Sequence, residues 1–393
     1  MREHLGALAR CSAEGGWALA TVVATRGSAP RPVGTAVLVG ADGTIAGSLS
    51  GGCIESAVHE VAQRVLATGT ASLQRYGVAD EDALAVGTTC GGELDVLVER
   101  VEARDAALWR RAAEAVAAEE PVVLGVVVEH PDPAAVGRRF LVDASGSLVD
   151  ASGGVSPLGP PALEGAVAAD AADLLGRDAA LSRTHGTAGG ARVRVCLAPL
   201  SPRRRLLVFG SVDVAAAAAA MGAQLGFRVT VCDARAALTT PERFPGVQDL
   251  VVDLPHRYLA RERDAGRLGR APVLLVLTHD ARFDVPLLRT ALHLPELGYL
   301  GAMGSRRTHE ERAARLAAEG LGELAAQLLR SPLGLDLGGS SPAETALSVL
   351  AEVVAVLNGR SGRPLSTTTG PLHGSGTAPA GQCPPGVREF AAV

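Results

Sequence analysis

The 393-residue chain is 47% hydrophobic with a formal net charge of -5, which allows two or three domains with sizeable cores and leaves no basic footprint for nucleic acid. Its aromatic fraction of 3% removes the stacking platforms that single-stranded nucleic acid needs. All 37 basic residues are arginines; without lysine, Schiff-base chemistry, a pyridoxal-phosphate anchor and a Walker-type phosphate loop are excluded. No apolar run reaches membrane-spanning length, and the N-terminal stretch lacks a basic region followed by an apolar core, so a soluble cytoplasmic protein is expected. The six cysteines (Cys11, Cys53, Cys90, Cys196, Cys232 and Cys383) lie far apart without a CxxC pair or zinc spacing, and are expected to be reduced.

In chain order, a strand over 17–23 is followed by an Arg26–Gly34 loop that contains Arg31, and then by a second strand over 35–39. Asp42-Gly43 makes a hairpin turn, and a third strand over 45–49 runs into Ser50-Gly51-Gly52-Cys53. The glycines let backbone N–H groups approach a ligand, and a helix over 54–66 points its positive end at the sulfur, which favours thiolate. The plainer reading of Cys53 is a small buried residue at a strand end. A strand near 71–76 and the turn Thr89-Cys90-Gly91-Gly92 follow, so that Cys90 sits in a second glycine frame ahead of a strand over 93–98.

The pattern recurs about a hundred residues later. Segments 121–128 and 138–142, the Ser145-Gly146 turn and Ser152-Gly153-Gly154-Val155 repeat the order, and Thr187-Ala188-Gly189-Gly190 precedes a strand over 191–197. The first domain, 1–200, therefore reads as a duplicated α+β unit, with copies over 17–101 and 121–199 separated by a charged helix over 103–119. Val155 and Ala188 stand where Cys53 and Cys90 would be. Glycines that persist without the thiols serve the fold, which assigns the chemistry to the cysteines of one copy.

Ser201-Pro202-Arg203-Arg204-Arg205 reads as a linker into a second domain over 201–360. A strand ending at Gly210, an alanine-rich helix over 215–225, and a strand ending at Asp233, 23 residues after the glycine, form a βαβ unit of Rossmann type. Strands over 249–253, 273–278 and 299–302 continue a doubly wound parallel sheet. In the phosphate fingerprint, however, Val212 replaces a glycine and Asp213 adds a negative charge, both unfavourable to a pyrophosphate. At the carboxyl ends of later strands, Thr278-His279-Asp280 and Gly304-Ser305-Arg306 are candidate contacts to an anionic group. Ser341-Pro342-Ala343-Glu344 is a capping box that opens a helix over 343–357, and the stretch 361–393 has the composition of a disordered tail.

These motifs resemble the xanthine dehydrogenase accessory family, XdhC/CoxI. The matching segments are Ser28–Gly34, Gly47–Glu55, Cys90-Gly91-Gly92, Thr278-His279-Asp280, 301–307, and 333–338 with Ser341–Glu344. The resemblance implies a protein that binds the molybdenum cofactor (molybdopterin), protects it while a cysteine desulfurase makes its sulfurated form, and hands it to a molybdenum hydroxylase of the xanthine or CO dehydrogenase type. It also implies that Cys53 and Cys90 touch the cofactor or its sulfur, Cys53 being the candidate ligand to molybdenum. Arg31, Gly51, Gly52, Glu55, Gly91, Gly210, Asp233, His279, Gly304, Ser305 and Arg306 are the further candidate binding residues. Where the family commonly has Gly-Ala-Gly-His, this chain has Gly210-Ser211-Val212-Asp213. The competing reading is an NAD(P)-dependent oxidoreductase with Asp233 on the ribose and His279 as acid or base; a third is a scaffold that docks onto a hydroxylase without cofactor. A homodimer is the expected assembly.

Overall fold

A computed structural model describes the chain except residues 28, 30, 53, 78–91, 151–157, 159–160, 178, 187–189, 191, 279 and 370–393, and except the side chains of 150 and 281. It divides into two compact units, Met1–Pro202 and Arg203–Thr368.

The first unit opens with a helix that the sequence reading did not place, α1 (Leu5–Glu14), followed by β1 (Trp17–Arg26), β2 (Ala36–Gly40), β3 (Ile45–Ala46), α2 (Glu55–Thr68), β4 (Ser72–Tyr76) and β5 (Glu93–Arg100). After α3 (Ala106–Ala117) come β6 (Val122–Glu129), β7 (Arg139–Val142), β8 (Leu148–Asp150), α4 (Pro161–Leu174), β9 (Leu181–Gly186) and β10 (Arg192–Leu200). The two antiparallel sheets have strand orders β3-β2-β1-β5-β4 and β8-β7-β6-β10-β9. One order becomes the other by adding five to each number, as the duplicated reading requires. The irregularities repeat as well. The β1–β5 register shifts between Val22 and Ala24, and the β6–β10 register shifts between Glu129 and Val127, which leaves Val23 and Val128 as the extra residues of equivalent bulges.

Each sheet is buried on both faces, which is why its central strands read as continuous apolar runs rather than alternating ones. In the first sheet Ala18, Ala20 and Val22 pack against Val58, Val61 and Val65 of α2. From the opposite face, Val23 and Leu97 meet Val126, Val128 and Cys196 of the second sheet, while Phe140, Val195 and Leu197 pack on Val167 and Ala171 of α4. Helices α1 and α3 close the remaining side through Leu5, Leu8, Leu108 and Trp109.

The second unit comprises β11 (Arg205–Phe209), α5 (Asp213–Gln224), β12 (Arg228–Asp233), β13 (Asp249–Val252), α6 (Pro255–Asp264), β14 (Val273–Val276) and α7 (Ala281–Leu292). It continues with β15 (Tyr299–Ala302), α8 (Arg306–Ala318), α9 (Gly322–Leu328), β16 (Leu329–Arg330) and α10 (Pro342–Leu357). The sheet is parallel throughout, in order β13-β12-β11-β14-β15-β16, the doubly wound arrangement expected. Leu207 and Phe209 face a core with α6 and α7; Leu206 and Val208 face one with α5 and α10. The Ser201–Arg205 stretch is not wholly a linker, because Arg205 begins β11 with its guanidinium buried on Glu262 (2.8 Å), Thr230 (3.0 Å) and Tyr258 (2.9 Å). The capping box of α10 is formed as predicted, Ser341 and Glu344 each satisfying the other's backbone.

Candidate functional site

In the first unit the third strand stops at Ala46, and the chain wraps around one carboxylate. Oε1 of Glu55 accepts from the Ser48 hydroxyl (2.8 Å) and from the amides of Leu49 (3.1 Å), Ser50 (2.9 Å) and Gly51 (3.2 Å). Its Oε2 accepts from the Ser50 hydroxyl (2.5 Å) and from the amides of Gly52 (2.9 Å) and Ile54 (3.2 Å). Gly51 and Gly52 adopt φ of +83° and +124°, which turns their amides inward and favours residues without a Cβ. Burial opposes ionisation of Glu55, but the hydroxyl and amide of Ser50 and the hydroxyl of Ser48 outweigh it and hold the carboxyl far below the usual range. Leu49 and Ile54, both wholly buried, anchor the loop in the core beneath α2.

Arg31 is exposed on the β1–β2 connection, and Ala29 of the same connection packs against the core that holds Leu49 and Ile54. The two loops thus share one end of the sheet. Cys53, Cys90 and Gly91 lie outside the described residues, as do Val155 and Ala188 of the second copy. The described cysteines Cys11, Cys196 and Cys232 are free and buried; burial pushes the thiols of Cys196 and Cys232 up to about 12, where they are inert at neutral pH.

In the second unit, Gly210, Asp233, Thr278 and Gly304 each lie at or just beyond the carboxyl end of a parallel strand, the edge where open α/β sheets bind ligands. At the switch point between β11 and β14, Gly210 has φ +113°, and a Cβ there would stand 3.1 Å from the backbone of Leu277 and Thr278. Asp233 is buried and engaged. Its Oδ2 accepts from the Ser211 amide (2.7 Å) and Arg235 Nη2 (2.7 Å), and its Oδ1 from Arg235 N and Nε (2.9 Å each). Burial would raise that carboxyl, but Arg235 and the Ser211 amide hold it below the usual range. The charge of Asp213 is met by Arg243 at 3.1 Å. Ser305 caps α8 by accepting from the Thr308 amide (3.2 Å), and Gly304 passes so close to Thr308 that a Cβ would stand 3.0 Å from it. Arg306 is exposed, with no partner among the described residues; His279 lies outside them.

The sequence reading missed what braces this edge. Buried Asp284 on α7 accepts from the hydroxyl of Thr278 and from Arg312 Nη2 (3.1 Å), while Arg312 on α8 also donates to Met303 O (2.8 Å) and Ser331 Oγ (2.9 Å). One ion pair thereby ties the ends of β14, β15 and β16 together. The only sequence signal was an aspartate and an arginine on helical faces otherwise turned toward a core. Among the described residues no three His, Cys, Asp or Glu side chains form a metal-binding group, and no helix is long and apolar enough to cross a membrane.

Residues 206–353 match the family described as the XdhC Rossmann domain, and residues 11–77 match the XdhC and CoxI family. Over 347 residues the chain is 27% identical to a probable xanthine dehydrogenase subunit from Bacillus subtilis (strain 168), covering 86% of this chain and 92% of that protein. Over 343 residues it is 25% identical to the molybdenum cofactor insertion chaperone PaoD of Escherichia coli (strain K12), covering 87% and 83%. A crystal structure from Bacillus halodurans, described as a xanthine dehydrogenase, has the same fold, with a TM-score of 0.67 over 92% of this chain and 96% of that one at 23% identity.

Proposed function

Because this chain belongs to the XdhC and CoxI family, we propose that it binds the molybdenum cofactor, shelters it during maturation and delivers it to a molybdenum hydroxylase of the xanthine or CO dehydrogenase type. The observation that carries this reading is the likeness to an insertion chaperone, which runs through 87% of the chain and so through both units. A pyranopterin phosphate calls for cationic donors, and Arg31 and Arg306 each offer an exposed guanidinium with no partner among the described residues. The glycine-loop amides do not fit that task, since Glu55 holds them.

Within this reading Cys53 and Cys90 contact the molybdenum or its sulfur when the cofactor is bound, a centre that is labile in water. A chain without lysine leaves the pyridoxal chemistry that mobilises sulfur to a separate cysteine desulfurase. We place the protein in the cytoplasm as a homodimer, which mass photometry at micromolar concentration tests directly. The NAD(P)-dependent alternative draws on the parallel sheet but is weakened by Asp233, whose carboxylate is engaged by Arg235 and Ser211 rather than open to a ribose.

The deciding experiment is expression in a host that makes the cofactor, followed by molybdenum analysis and pterin fluorescence of the purified protein. Near-stoichiometric molybdenum and pterin are expected; protein that carries neither would remove the proposal.

A further inference from the structure

Successive backbone N–H groups turned toward one point form a nest that receives an anion. Among the described residues, five amides and two hydroxyls form such a nest on the two oxygens of Glu55. Its anion is the protein's own carboxylate, held at the first residue of α2, where the helix dipole also favours negative charge. A phosphate arriving at this loop meets donors already engaged and a full negative charge among them. Displacing Glu55 would require giving up several charge-assisted bonds at once.

We propose that Glu55 is a positioning residue, an internal anion that folds the cysteine-bearing loop before any ligand arrives and closes its amides to the cofactor's phosphate. This rests on the function assigned above and deepens it: the glycine loop is the mount of a thiol, and the phosphate is received by cationic side chains. In sequence Cys53 stands between Gly52 and Ile54, and the amides of both donate to the same carboxylate oxygen. Loss of that oxygen frees the backbone on either side of the thiol.

The test compares the full-length parent with Glu55→Ala and Glu55→Gln. Amide hydrogen exchange over residues 48–54 is expected to be about tenfold or more faster in Glu55→Ala, with sodium formate restoring protection by refilling the nest. Inorganic pyrophosphate should leave the parent's exchange in this loop unchanged. In Glu55→Ala, whose nest has lost its own anion, pyrophosphate should slow that exchange, a readout that a purely structural role would not move. Should Glu55→Ala fail to fold, Glu55→Gln carries the comparison, with faster exchange of the same amides and their protection by pyrophosphate as the expected result. The proposal is overturned if Glu55→Ala exchanges like the parent, if pyrophosphate protects the parent's loop amides, or if it leaves those of Glu55→Ala unprotected. Molybdenum content separates the two levels. A parent without molybdenum but with the expected exchange removes the function and keeps the positioning role, whereas a parent with molybdenum and a Glu55→Ala variant indistinguishable from it in exchange and retention removes the positioning role alone.

Discussion

Gly34 and Gly137 are counterparts in the two copies of the first unit, and each lies against the other copy's strands. A Cβ on Gly34 would stand 3.2 Å from Ala180 Cβ and 3.4 Å from Ala198 Cβ; one on Gly137 would stand 3.2 Å from Ala71 Cβ and 3.3 Å from Glu99 Cβ. The strand registers pair Ser72 with Val98 and Leu181 with Leu197, which makes Ala71 the counterpart of Ala180 and Glu99 that of Ala198. The contact is reciprocal, as across the two-fold axis of a dimer, but within one chain. Each glycine also donates to the same bulged strand position, Gly34 to Val22 O (2.8 Å) and Gly137 to Val127 O (2.9 Å).

Both glycines hold left-handed φ, +87° and +85°. Gly34→Ala and Gly137→Ala are each expected to destabilise the protein by about 1–3 kcal/mol, from left-handed strain plus the close approach to the facing strand. Urea unfolding measures this, and a variant as stable as the parent would show that the facing copies do not press on the turn.

The internal symmetry is broken where Glu99 meets Arg139, a buried pair that also engages Thr21 (2.9 Å), since the equivalent positions hold Ala198 and Ala36. Burial pushes the Glu99 carboxyl up to about 7 against the pull of Arg139. A carboxyl raised in the folded state contributes stability that is present below its unfolded value, near 4.5, and is lost as pH rises through 7. Unfolding at pH 5 and pH 8 should show the parent losing up to about 3 kcal/mol more than Glu99→Gln over that interval. Parallel pH dependences of the two proteins would contradict it.

Arg312 and Asp284 are both nearly inaccessible to solvent. Asp284→Ala strands a buried guanidinium and should cost about 3–5 kcal/mol, whereas Asp284→Leu combined with Arg312→Met should recover part of that loss. Calorimetric melting of the three proteins decides; a double variant no better than the single one would assign the loss to packing rather than to charge.

Asp233 is closed off by Arg235, and Val212 and Asp213 occupy the turn that would meet a pyrophosphate. NADH and NADPH are expected to bind more weakly than micromolar, short of about -8 kcal/mol. Isothermal titration of either dinucleotide giving micromolar or tighter affinity would reinstate the oxidoreductase reading.

Cys53→Ala should leave the fold intact at a cost of about 1 kcal/mol and markedly lower the molybdenum that co-purifies. The checks are thermal melting beside metal analysis. A variant that keeps the parent's molybdenum would release Cys53 from the assigned contact.

Much of this architecture was legible in the residues alone, because local order leaves a periodic trace. The repeated strand-turn order announced two copies, the strand-glycine-helix-strand-acid spacing announced the parallel sheet, and Ser341 with Glu344 announced the start of α10. Those signals depend on neighbours within a few positions, so a linear reading captures them. Glu55 was visible as a residue of the glycine loop, but not as its internal anion, since the seven donors among the described residues converge on it only once the chain has turned. Asp233 had the right spacing for a ribose, yet Arg235 takes its carboxylate; Asp284 and Arg312, 28 positions apart, meet only when α7 and α8 lie side by side. Sequence alone determined which elements form and how often they recur. Which polar groups those elements leave free for a ligand, and which they engage with one another, was decided by the tertiary structure, because a hydrogen bond is directional and a buried charge must find its partner wherever packing places it.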